Sequence, residues 1–217
     1  LAVGMDKRIG PSFLNSSIGF GGSCFKKDIL NLVYISKHYG LDEVAEYWES
    51  VIRINDYQTN RFGEKIIEVF RSNLNLKTIS ILGWAFKKDT NDSRESASIS
   101  LAKKLLLNGA KLRIYDPMVS AYQIIYDIKN KILEDEIGES EIDNLISNVS
   151  VCENSYSAIK NSNLVSLCTE WDEFKEINWK EAKSIMSSNP TLFDGRNLVD
   201  KHQLESLGFK VYIIGKP

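Results

Sequence analysis

The 217-residue sequence predicts an α/β fold, a helical domain followed by a Rossmann-like doubly wound parallel sheet, and two observations predict its architecture. From Lys26 to about Ser72, apolar residues recur at helical spacing in two runs separated by a glycine. From Thr78 onward, short apolar runs of strand type alternate with helical stretches, the pattern of a mostly parallel sheet covered on both faces. The change of pattern sets the expected division at residues 1–77 and 78–217.

In the first part, Ile29, Leu32, Val33 and Ile35 mark a helix over Lys26–Tyr39, with Gly40 as its C-terminal stop. Asp42 is read as the cap of a long second helix, in which Val44, Tyr47, Trp48, Val51 and Ile52 fall on one face. Phe62, Ile66, Ile67 and Phe70 continue the stripe, and no proline interrupts it. About 30 residues would span roughly 45 Å, a length that needs neighbours, as a domain link, a dimer interface or both.

In the second part, TISIL is a buried strand ending at Gly83, and SRESASISLAKKLLLNGA is a helix ending at Gly109. KLRIYDP is a strand closed by Asp116 and Pro117. VSVCE, NLVSLCT, TLFDG and FKVYIIG add four more strands, with helical pieces at Tyr156–Lys160 and Trp179–Ser187. Residues 118–148 read as a short helix followed by a polar excursion.

Composition narrows the function classes. A net charge of -2 argues against general binding to nucleic acid or anionic membranes, and no apolar run approaches the roughly 20 residues that cross a bilayer. Cys24, Cys152 and Cys168 fit no disulfide framework or zinc spacing, and His38 and His202 are too far apart for a metal cluster, so a reducing, cytoplasmic setting is expected. The opening LAVGMDKRIG carries neither an initiator Met nor a signal pattern and reads as the middle of a longer protein.

A dinucleotide fingerprint would place G-x-G-x-x-G after the first strand, but ILGWAFKKD has one glycine followed by bulky residues. Ligands of open α/β sheets gather at the carboxyl ends of the strands, where Phe86, Lys87, Lys88, Arg94, Glu170 and Arg196 are expected. The cations among them would suit a diphosphate; a solvated turn is the other reading of Lys87 and Lys88.

The stretch GFGGSCFKKD is sharper. Gly19, Gly21 and Gly22 permit close backbone approach to a ligand. Cys24 falls at a helix start beside Lys26 and Lys27, where dipole and cations favour a thiolate, and Asp28 stands one turn on, able to position a water. Cys168, inside NLVSLCT, is expected to be a small buried hydrophobe, and Cys152 structural or incidental.

GFGGSCFKKD, WAFKKDTNDSRES and FDGRNLVD occur in order, with NDYQ, YDP, CTEWDEF and IGKP between and after them. On these motifs the whole chain resembles the UDP-glucose/GDP-mannose dehydrogenase family. The resemblance implies an N-terminal NAD-binding domain upstream of Leu1, a central dimerisation domain carrying the catalytic cysteine, and a C-terminal UDP-binding domain. It implies an oxidoreductase that oxidises UDP-glucose to UDP-glucuronate in two steps with two NAD, through a thiohemiacetal and a thioester on Cys24. Asp28 would match the carboxylate that assists water, and Lys27 and Arg94 residues that meet NAD. Phe86, Lys87 and Arg196 would match substrate contacts, and Phe13, Leu14, Asn15, Ser17, Gly19, Phe20 and Gly21 the segment that wraps the nucleotide. Arg8 would match an arginine entering the neighbouring subunit's active site, so the partner implied is a second copy in a homo-oligomer.

Asn15 stands where close relatives often have a lysine near the uracil; its amide can still hydrogen-bond a uracil edge. The family's catalytic lysine, general-acid glutamate and a threonine belong upstream, so this chain alone is expected not to reduce NAD. Phe25 and KKDTNDSRES favour UDP-glucose over GDP-mannose or a UDP-N-acetylhexosamine. A non-catalytic, nucleotide-sugar-binding dimer module is the reading from another class. It has no need of an activated thiol, so rapid alkylation of Cys24, slowed by UDP-glucose, separates the two.

Overall fold

A computed structural model describes residues 2–11, 14–135 and 137–216. A 3-10 turn at Val3–Met5 precedes α1 (Phe25–His38) and α2 (Asp42–Val69), which pack along each other. Gly40 closes α1 at φ 68, where Leu41 N–H reaches back to the Ser36 carbonyl at 2.9 Å. Asp42 is not the cap of α2. Leu41 holds that position with no side-chain bond, and Asp42 and Glu43 fill the first turn, where carboxylates offset the helix dipole.

The sheet contains β1 (Thr78–Leu82), β2 (Lys111–Tyr115), β3 (Val149–Val151), β4 (Leu164–Leu167), β5 (Thr191–Asp194) and β6 (Lys210–Ile213). Their order is β3-β2-β1-β4-β5-β6 and every pairing is parallel, the doubly wound arrangement expected from the sequence. Strand order reverses between β1 and β4, where Ile79 faces Leu164 and Leu82 faces Leu167. All four residues of β4 are buried, which is why NLVSLCT is a continuous apolar run and not an alternating one.

Connections are α3 (Ala97–Leu107), α4 (Ala121–Leu133), α5 (Glu139–Ile146), α6 (Ser155–Ile159), α7 (Asp172–Lys175), α8 (Trp179–Ile185) and α9 (Lys201–Ser206). The polar excursion expected before β3 is instead helix α5. It buries Ile142 alone and half-buries Leu145 and Ile146, so its composition is that of a solvated helix with a thin apolar stripe. The helix expected from Ser93 begins only at Ala97, capped by Ser96. Residues 84–96 therefore form a long irregular crossing over the sheet's carboxyl edge.

The second half of α2 reaches the sheet. Phe62 and Ile66 are buried in the same apolar cluster as β1, β4 and β5, and the Phe62 ring meets Phe193 edge-on at 5.6 Å. Burying side chains of this size stabilises by about 1.5–3 kcal/mol each, so α2 is fixed to the sheet as part of one core. Ile18, fully buried, inserts into that core from the loop before α1.

Candidate functional site

Where strand order reverses, the loops after β1 and β4 separate and leave a crevice, the usual ligand position in such sheets. Gly83 follows β1 at φ 98, and an added Cβ would lie 2.4 Å from that of Thr169 after β4. Only glycine permits this approach. Thr169 Oγ1 then donates to the Ala85 carbonyl at 2.6 Å, binding the two loops together.

The turn after β1 is already occupied by an anion of the chain itself. Asp116, after β2, accepts on Oδ2 from Trp84 N–H at 2.6 Å, Ala85 N–H at 3.0 Å and Trp171 Nε1 at 3.0 Å. Its Oδ1 accepts from Met118 and Val119 N–H, both at 2.9 Å. The amides that would cradle a pyrophosphate thus serve a buried carboxylate, so this sheet does not fit a dinucleotide. Asp116 reads in the sequence only as a strand stop. The signal that could have found it is its place after the second strand, where dinucleotide folds carry their ribose-binding acid.

Arg196 follows β5 with a side chain only 15% exposed. Its Nε donates to the Cys168 carbonyl at 2.9 Å and its Nη2 to the Phe86 carbonyl at 2.7 Å. Glu170 Oε2 lies 3.1 Å from the same Nε, but among the described residues no donor is directed at that oxygen and it is buried. The guanidinium therefore latches the loops after β1, β4 and β5. Of the other cations expected at this rim, Lys88 is drawn to Asp172 at 2.6 Å and Arg94 is held by Asp92 at 2.8 Å. Lys87 is exposed, its Nζ 5.5 Å from the Phe86 ring centre.

The loop before α1 is tied across this edge. Asn55 of α2 accepts from Phe20 N–H at 2.7 Å and donates to the Phe20 carbonyl at 3.2 Å, while Thr59 Oγ1 donates to the Ile18 carbonyl at 2.9 Å. The glycines approach protein, not open space. A Cβ on Gly21 would sit 2.5 Å from the Glu95 carbonyl oxygen, and one on Gly22 3.0 Å from the Phe86 ring. Gly22 N–H donates to the Arg94 carbonyl at 2.8 Å. Lys26 completes the seam with an ion pair to Glu95 at 2.8 Å; burial opposes its charge most, but Glu95 with Asp56 and Glu134 together outweigh that and raise its pKa.

Cys24 emerges from this seam, exposed, at the N-cap of α1, with Sγ 3.6 Å from Ser23 Oγ. Asp28 N–H donates to the Cys24 carbonyl at 2.8 Å, which stacks the two residues on successive turns. Lys27 and Asp28 are exposed, and Phe25 packs edge-on against Phe20 at 4.8 Å. The Arg94 guanidinium pKa is raised first by Asp92, and Cys24 lies within its electrostatic reach. Burial lifts the Cys168 thiol to about 11, as befits a core residue, and Cys152 is half-buried.

The remaining expectations divide. Leu14 and Asn15 are exposed, and Ser17 Oγ donates to the Gly19 carbonyl at 3.0 Å. Arg8 is exposed and folded back on Asp6 at 2.7 Å. Phe13 lies outside the described residues. The structure brings Phe86 and Arg196 into contact and sets Arg94 beside the Cys24 seam; Arg8 stands on its own turn. Two clefts flank α2, and neither is lined by Cys24, Lys87, Arg94 or Arg196. Among the described residues no group of acids, cysteines and histidines could hold a metal, and no helix is long and apolar enough to cross a membrane.

Two family models match the chain: the UDP-glucose/GDP-mannose dehydrogenase family, UDP binding domain, over residues 80–201, and the central domain of the same family over residues 1–57. UDP-glucose 6-dehydrogenase 3 of Arabidopsis thaliana is 49% identical over 219 residues, covering 100% of this chain and 46% of that protein. UDP-glucose 6-dehydrogenase 1 of Glycine max is 48% identical over 219 residues, with the same coverage of 100% and 46%. A solved UDP-glucose dehydrogenase from Pyrobaculum islandicum superposes with a TM-score of 0.68 at 26% identity, covering 98% of this chain and 41% of that one. The chain thus spans a little under half the length of these relatives.

Proposed function

The chain belongs to the UDP-glucose/GDP-mannose dehydrogenase family, and on that premise we propose that it forms the central and UDP-binding parts, residues 1–77 and 78–217, of an NAD-dependent UDP-glucose 6-dehydrogenase. The observation that carries this is the placement of an exposed Cys24 at a helix start, sewn by Gly21, Gly22 and Lys26 to the loop that presents Phe86, Lys87 and Arg94.

In this reading UDP-glucose lies over the carboxyl edge of the sheet. Lys87 offers a cation to the diphosphate, and Arg196 holds the Phe86 carbonyl and so the shape of the loop. The Cys24 thiolate adds to the C6 aldehyde of the half-oxidised sugar, forming a C–S bond and a thiohemiacetal; after the second oxidation the product is a thioester on the same sulfur. Asp28, one turn further on the same helix, takes a proton from the water that cleaves the C–S bond and releases UDP-glucuronate. NAD, when bound, accepts the hydride of each oxidation. This chain offers it the exposed side chains of Lys27 and Arg94 and no pyrophosphate cradle, because Asp116 fills the turn after β1.

The helical part is proposed to pair with a second copy. Tyr34, Tyr39, Tyr47, Ile54 and Tyr57 are exposed on α1 and α2 or the turn between them, an apolar area larger than a solvated helix hairpin carries. Sedimentation of the chain is expected to give a dimer.

Calorimetric titration tests the substrate. UDP-glucose is expected to bind and GDP-mannose not. Binding of GDP-mannose alone, or of neither, rejects UDP-glucose recognition by these two parts.

A further inference from the structure

The cleft on one side of α2 has a chemistry of its own, apart from Cys24. It lies between the second half of α2 and the edge strand β6, with a volume near 800 Å³, within the size range of small-molecule sites. Arg61 and Lys65, four residues apart and so on one face of α2, form one wall, and Lys201 and Lys216 stand on the sheet side. Among the described residues no aspartate or glutamate lines it. Both Arg61 and Lys65 are exposed, and among the described residues neither has an ion-pair partner.

The floor of the cleft is aromatic and rigid. Tyr212 on β6 is 42% exposed and stacks on Phe193 of β5, ring centres 4.6 Å apart and planes 20° apart. Phe193 is itself held edge-on by Phe62 of α2. Tyr212 is thus supported on one side by a fixed ring while its exposed area faces the cleft. A ring held in this way loses little freedom when a second flat ring lies on it.

We propose that this cleft is a second ligand site, for a nucleoside polyphosphate whose base stacks on Tyr212 and whose phosphates meet Arg61 and Lys65. Arg61 and Lys65, which face no aspartate or glutamate among the described residues, select a polyanion, and a supported aromatic face selects a flat base that need not be of one kind. Ser17 lines the rim of this cleft and also belongs to the segment expected to wrap the nucleotide of UDP-glucose, so the two sites adjoin, but Arg61, Lys65 and Tyr212 are not among the residues proposed to hold UDP-glucose, and occupancy is read without any turnover.

The test is calorimetric titration of the 217-residue chain with ATP as the probe, with and without saturating UDP-glucose, and with inorganic tripolyphosphate for comparison. ATP is expected to bind one to one whether or not UDP-glucose is present. The double variant Arg61→Gln/Lys65→Gln should weaken ATP by about tenfold or more, since each charge-assisted bond is worth at least that factor. Tyr212→Ala should weaken ATP about tenfold and tripolyphosphate by less than about twofold, because only the nucleotide has a base to stack. UDP-glucose binding should be unchanged in both. Photolabelling of the unaltered chain with 2-azido-ATP, expected on the peptide carrying Tyr212, reads the same site without any substitution. No ATP binding, displacement of ATP by UDP-glucose, or indifference to the Arg61 and Lys65 changes overturns the proposal. Equal loss of ATP and tripolyphosphate in Tyr212→Ala overturns the nucleoside part of it.

Discussion

Arg196 Nη2 lies 2.7 Å from the Phe86 carbonyl oxygen and joins segments 110 residues apart. The same guanidinium reaches the Cys168 carbonyl, so one planar fork holds three loop ends where the sheet's order reverses. Arg196→Lys keeps the charge and loses the fork. It is expected to lower stability by about 1–3 kcal/mol, measured by denaturant unfolding. It should also weaken UDP-glucose by about tenfold in calorimetry, because the Phe86 loop loses its fixed shape. A variant as stable and as tight as the parent rejects the latch.

Asp116 is the anion around which the turn after β1 folds. Five donors converge on its two oxygens. Asp116→Asn replaces one acceptor by an amide NH₂ that faces donors. The loss should approach that of Asp116→Ala, about 3–5 kcal/mol, since either change leaves buried N–H groups unsatisfied. Thermal unfolding of the two variants side by side decides whether the carboxylate is needed or merely a side chain of that size.

Gly21→Ala would place a methyl 2.5 Å from the Glu95 carbonyl oxygen, a backbone atom that cannot turn aside. Overpacking of this kind costs about 1–3 kcal/mol. Hydrogen exchange at Gly22 should speed up with it, because its N–H bond to the Arg94 carbonyl is the next contact along the seam. Unchanged protection there shows that the loop yields elsewhere.

The three thiols should separate in alkylation. Cys24 is exposed, Cys152 half-buried, and Cys168 2% exposed with its thiol pushed up to about 11. Iodoacetamide near neutral pH is expected to modify Cys24 first and Cys168 only on unfolding, and mass spectrometry of the labelled peptides reads the order. Saturating UDP-glucose should slow Cys24 and leave Cys152 unaffected. Early modification of Cys168 would mean that the sheet opens locally far more readily than its burial implies.

The six strands, α1 and the long α2 were all legible in the sequence, because apolar period and glycine stops are local properties. Helix α5 was not, since a helix that buries one isoleucine leaves almost no periodic signal. Nor were α7 and α9, which are shorter than two helical turns and held by neighbours. Cys24 at a helix start was readable from GFGGSCFKKD, and the structure sets it there. What those glycines approach was not readable, because Glu95 and Phe86 lie more than sixty positions away along the chain.

By itself, then, the sequence determined the six strands, α1 and α2, the parallel doubly wound sheet and the family, each carried by short-range pattern or contiguous motif. Tertiary structure alone decided how the cations at the carboxyl edge are used. Lys88 and Arg94 are spent on neighbouring carboxylates and Arg196 on backbone carbonyls, and the first turn encloses Asp116 in place of a phosphate. The reason is physical: a charge near a buried edge takes whichever partner folding brings within about 3 Å, and sequence spacing does not encode that distance.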